Sequence, residues 1–158
     1  MEPSAKLLAH LLRVRFLSFS SEHLGSPERN THGSGTVEAT APDHRTILFT
    51  ESGTWAPQSG APIRFHNTYR WSRLSAVSVR LEHLRLGPAN PTHLLDLRPE
   101  DATAASWTSC SPHLCGDDSY SAQLRADETG FALRWLITGP RKDERLVTAY
   151  SSVPSVEA

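Results

Sequence analysis

At 158 residues, with 38% hydrophobic and 21% charged residues, the chain fits one domain able to bury about two thirds of its unfolded surface. Its net charge of −1 contains no basic block, which argues against nucleic acid as a partner, because phosphate binding needs a concentrated positive face. The opening MEPSAKLLAHLLRVRF is interrupted by Glu2, Lys6, His10, Arg13 and Arg15, so it offers no unbroken apolar run for a signal peptide or a membrane span, and the expectation is a cytoplasmic protein.

Ser4 is placed to cap a helix over residues 1–12, in which Leu7, Leu8, Leu11 and Leu12 form an apolar stripe at helical spacing. Val14, Phe16 and Phe19 begin a strand. Residues 20–35, SSEHLGSPERNTHGSG, are rich in Ser, Gly, Pro and charge and read as a long flexible loop. Short strands are expected over 36–41, 46–55, 63–74, 77–86, 92–97 and 102–108, with turn residues between them. A three-stranded meander follows: Tyr120, Ala122 and Leu124 alternate with polar residues, as do Phe131, Leu133, Trp135 and Ile137, and Leu146, Thr148 and Tyr150 close it. Its turns are Asp127-Glu128-Thr129-Gly130 and Gly139-Pro140-Arg141-Lys142-Asp143. Residues 152–158 read as a disordered tail. Nine or ten short strands with turns at this spacing predict an all-β fold. A closed, antiparallel, up-and-down barrel is favoured over a sandwich, since closure removes exposed edges. Such a barrel can hold one small ligand.

Alternation then assigns the inner face. Phe65, Trp71, Leu133 and Trp135 give an apolar lining. Glu51, Asn67, Tyr69, His83, Tyr120 and Tyr150 share that face, and an apolar cavity with a few convergent polar groups is the usual form of a small-molecule site. His83 stands in register with Val79 and Leu81, where an aliphatic residue would be cheaper to bury. Its imidazole titrates near neutral pH, which suits proton transfer. A bulge at this point would turn Glu82 inward instead. Tyr69, Tyr120 and Asn67 can donate hydrogen bonds to a developing oxyanion. Lys142 sits at a hairpin tip, where it can attract an anionic group or pair with Asp118. Cys110, His113 and Cys115 lack a fourth ligand at any zinc spacing, so no metal is expected. No phosphate loop, nucleophile elbow, zincin or dinucleotide motif occurs, and no cofactor is expected.

The segments FHNTYRW (65–71), RLEHLRLGP (80–88), SPHLCGDDSY (111–120) and RWLITGPRKDE (134–144) resemble the motifs of a family of small proteins of unknown function from bacteria and fungi. That family is compared with calycin, or lipocalin-like, barrels. The resemblance implies the barrel and a shared polar set, matched here by Asn67, Tyr69, His83, His113, Cys115, Asp118, Tyr120 and Lys142. Such barrels often open with a Gly-x-Trp after the N-terminal helix. LLRVRF has neither residue, which implies a differently packed floor.

The expected function is a cofactor-independent acid/base enzyme, of isomerase, cyclase or lyase type, acting on a hydrophobic small molecule in the lumen. His83, Tyr69, Tyr120 and Asn67 would be catalytic. Trp71, Phe65, Trp135, Lys142, Glu51, His113, Asp118 and Tyr150 would bind substrate. A monomer or homodimer is expected. The alternatives are a carrier with the same pocket and no turnover, or an interaction module whose barrel is filled by its own side chains.

Overall fold

The computed structural model describes residues 1–110, 112–140 and 142–154, with His113 and Cys115 described in their backbone only. Helix α1 (Pro3–Leu11) leads into eleven strands: β1 (Phe16–His23), β2 (Thr31–Asp43), β3 (Thr46–Pro57), β4 (Ile63–Ser75), β5 (Ser78–His83), β6 (Thr92–Pro99), β7 (Ser106–Ser109), β8 (His113–Cys115), β9 (Asp118–Ala126), β10 (Gly130–Thr138) and β11 (Asp143–Ser151). Consecutive strands pair antiparallel from β1 to β7. Strand β9 pairs with β7 on one side and β10 on the other, β10 pairs with β11, and β11 returns to β1. Ten strands thus close an antiparallel up-and-down barrel. The short β8 lies outside the ring, paired to the start of β9.

The period-2 pattern decides which side chains fill this ring. At one end the interior is solid: Val37, Phe49, Trp71, Val79, Leu97 and Leu124 are all buried. Helix α1 caps this end. Pro at its first turn suits a helix start, and its stripe of Leu7, Leu8 and Leu11 is buried against the strands, Leu11 completely. The helix is anchored by polar bonds at its own start. Ser4 donates through Oγ to the Ser75 carbonyl at 2.6 Å and through its amide to Ala76 at 3.0 Å. Arg73 donates to Ser4 Oγ at 2.9 Å and pairs with Glu2. Ser4 therefore fastens helix to barrel rather than capping it; the cap position is Glu2. The floor, expected to be packed differently for want of a Gly-x-Trp, is this leucine stripe.

The stretch 20–35, expected as one long loop, is strand at both ends. Strand β1 runs to His23 and β2 starts at Thr31, leaving a short connection with a single 3-10 turn at Pro27–Arg29. Its glycines serve close approach: Gly35 on β2 faces Gly53 on β3, and a Cβ on either would run into the carbonyl oxygen of Ser52 or Ser34. The β9–β10 turn forms at the expected residues, where the Asp127 carboxylate accepts the amides of Thr129 and Gly130, both at 2.8 Å. Of the tail expected over 152–158, residues 152–154 are described without strand structure, and 155–158 lie outside the described residues.

Candidate functional site

Above the packed floor the ring encloses a cavity of about 760 Å³. It opens at the end opposite α1, where β5 and β10 finish and β9 and β11 begin. Leu81, Leu133, Trp135, Ile137 and Leu146 give it apolar walls, and Phe19 meets Phe65 edge-on with ring centroids 5.7 Å apart.

The inner end is polar and aromatic. Glu51, on β3, is only 4% exposed. Tyr150, near the end of β11, reaches past β1 and β2 and donates its hydroxyl to Glu51 Oε2 at 2.6 Å. The Tyr150 ring lies 5.4 Å from Phe49, and Phe49 lies 5.9 Å from Trp71. Burial pushes the Glu51 carboxyl up to about 7, and the Tyr150 hydrogen bond opposes that rise only in part. The two phenols shift the same way: burial, reinforced by Glu51, raises both Tyr150 and Tyr69. Trp71 is 1% exposed, and its indole N–H has no hydrogen-bond partner among the described residues. An unpaired buried donor is costly.

Toward the mouth, Tyr69 on β4 stacks on His83 of β5 with centroids 4.7 Å apart and planes 20° apart. His83 faces inward, and Glu82 points outward to Arg70, whose Nε donates to Oε1 at 3.0 Å. The register of β5 shifts against β6 between Leu81 and Glu82, while Tyr69 to Arg73 pair with His83 to Val79 without a break, so His83 stays on the inner face and Glu82 is not turned inward. His83 is not mid-strand, however: it is the last residue of β5 and half-buried. Burial, and then Arg85, lower its basicity. Tyr120, at the start of β9, also lines the cavity. Lys142 and Asp118 stand on the rim with Nζ and Oδ2 3.5 Å apart. Tyr120 first, and Asp118 after it, hold the ammonium in its charged form. The His113 side chain lies outside the described residues.

The cavity therefore brings together Glu51, Asn67, Tyr69, His83, Tyr120 and Tyr150 with Phe65, Trp71 and Trp135, while Lys142 and Asp118 remain at its edge. Further polar residues line it that the sequence reading passed over. His23 on β1 meets Glu144 on β11 at 3.5 Å, and its Nδ1 is buried with no partner among the described residues. The Ser21 and Thr31 hydroxyls share a hydrogen bond of 2.6 Å, and Arg29 stands at the opening. The signal was present: Leu17 and Phe19 continue in alternation to Ser21 and His23. The loop-like composition of 20–35 obscured it.

Residues 20–152 match the model of DUF6314, a family of unknown function. The chain belongs to this family. For this DUF6314 protein, comparison with curated proteins gives no match. Solved structures similar to it include two β-barrels. One is a redesigned β-barrel, mFAP1, bound to DFHBI, at 12% identity and a TM-score of 0.42, covering 94% of this chain and 98% of that one. The other is EF1p2_mFAP2b bound to DFHBI, at 10% identity and a TM-score of 0.45, covering 96% and 98%. Among the described residues of the DUF6314 chain, no helix is long and apolar enough to cross a membrane.

Proposed function

We propose that this DUF6314 protein binds a small, largely hydrophobic molecule in its lumen and exchanges a proton with it, without a cofactor, as an isomerase, cyclase or lyase does. One observation carries the reading: a cavity of about 760 Å³, closed below and open above, ends on a buried carboxyl whose hydrogen-bond partner is a tyrosine. A carboxyl held near neutrality is an efficient general acid or base, and burial puts Glu51 at about 7. Glu51, which sequence reasoning placed among the binding residues, becomes the acid/base. Asn67, Tyr69 and Tyr120 can stabilise charge that develops on the ligand. His83 relays protons at the mouth side of Tyr69. Phe65, Trp71 and Trp135 supply contact area. A barrel with a shared polar set is also what the calycin-like resemblance implies, and the exposed Cys110 thiol fits a reducing cytoplasm.

The test starts with native mass spectrometry of protein purified from its own host, to capture the lumen's occupant. The identified compound is then incubated in D2O with wild type, Glu51→Gln and His83→Ala. Wild type should place deuterium in the compound or convert it. Glu51→Gln should lose this by a factor of about 100 or more, the usual scale of one general acid/base, while still binding. Binding with no exchange in any form would leave a carrier. No bound compound, from host or extract, would overturn the reading.

A further inference from the structure

We infer that the molecule this lumen takes is an amphiphilic amine, its ammonium seated against Glu51 among the rings of Tyr69, Trp71 and Tyr150 and its apolar body extending toward the mouth. The inference rests on the small-molecule reading above and names the substrate class.

The carboxyl of Glu51 has room for several hydrogen bonds and receives one, from Tyr150. Among the described residues no lysine, arginine or histidine contacts it or acts on its ionisation. The basic side chains that line the lumen are elsewhere: His83 lies against Tyr69, His23 meets Glu144, and Arg29 stands at the opening. A carboxylate buried without a counter-charge is expensive, and natural chains pair such groups. Here the counter-charge is absent from the wall and there is space beside it.

The surroundings favour a cation a second time. Aromatic rings present negative faces, and an ammonium within about 6 Å of a ring centre is attracted, most strongly where water is excluded. Tyr69, Trp71 and Tyr150 all line the cavity, and both phenols lie within electrostatic reach of Glu51. A ligand carboxylate at the same place would meet the Glu51 carboxyl. A cavity of about 760 Å³ far exceeds an ammonium group, and its remaining walls combine Leu81, Leu133, Ile137 and Leu146 with polar groups such as Asn67, Thr148 and Tyr120, which suits a largely apolar body behind the charge.

Binding should be linked to protons. An incoming ammonium favours the ionised carboxylate, so below about pH 7 Glu51 releases its proton on binding. The titratable groups around it are Tyr150 on β11 and Tyr69 on β4, both raised. Beyond them come His83 on β5, Tyr120 on β9, and His23 with Glu144 at the mouth.

The experiment is calorimetric titration of wild type with three matched probes: 4-phenylbutylamine, 4-phenylbutan-1-ol and 4-phenylbutyrate. The amine should bind at least tenfold more tightly than the alcohol, with the acid weakest. Amine binding at pH 6.5, compared in buffers of different ionisation enthalpy, should release protons. Glu51→Gln should erase the amine's advantage and keep the alcohol's affinity; if that variant does not fold, proton release by wild type decides. Equal or tighter binding of alcohol or acid, or amine binding without proton release, would overturn the inference and leave the small-molecule site standing. Failure of all three probes to bind, where a host compound is found in the lumen and is not an amine, would overturn the inference alone; failure together with an empty lumen would overturn both.

Discussion

Glu51 sets the pH response of the fold as well as of the site. Its carboxyl rises from 4.5 to about 7 on folding, so the folded state holds the proton more tightly than the unfolded state. Stability from this group is fully present below pH 4.5. It declines as the pH rises, because the unfolded chain ionises first, and the loss is complete above about 7. Its size is on the order of 3 kcal/mol. Urea unfolding of wild type and Glu51→Gln should therefore agree closely at pH 4.5 and diverge by pH 8, with the variant the more stable by up to about 3 kcal/mol. Parallel profiles would mean that the carboxyl is not desolvated. Alternation along β3 was enough to turn Glu51 inward on paper. What it could not show is Tyr150, 99 residues away, nor the depth at which the two meet. His83 shows the same gap from the other side: its face was legible, but its half-buried place at the end of β5 depended on where that strand stops.

At the scale of elements, α1 is a stopper held by one stripe of leucines. Leu11 is 0% exposed and packs where β3 and β4 cannot close the floor themselves. Leu11→Ala should cost about 2–5 kcal/mol, the range for a buried leucine that leaves a cavity, and should lower the denaturant midpoint without changing the slope. An effect below about 1 kcal/mol would mean that the helix is not part of the cooperative core. The helix was legible because a 3.6-residue stripe stands out before a run of alternating segments. The first half of β2 was not. Its Gly33 and Gly35 look like loop residues, yet they are needed because β2 and β3 approach too closely for side chains.

For the whole molecule, closure rests on unequal seams. Strand β3 pairs with β4 along ten residues, whereas β7 holds β6 and β9 by three pairs each. Among the ten strands of the ring, hydrogen exchange should be fastest in Ser106–Ser109 and slowest in the middle of β3 and β4, since local opening tracks the pairing that must be broken. Uniform protection around the ring would show that the barrel opens only as a unit. The ring itself was legible from strand count and short connections. Which strand made the last, weak join was not, because β8 intervenes in sequence and stands outside the wall.

The stopper at one end also gives the barrel a traffic rule. A vessel with a single doorway works last in, first out: whatever enters must back out past the rim before another molecule goes in. Under the proposed function, product and substrate would compete for one passage as well as for one site, and no gradient along the bore could push material through. Which end of a guest goes in first decides which of its atoms ever reaches the bottom, so a molecule loaded backwards has to withdraw completely before it can try again.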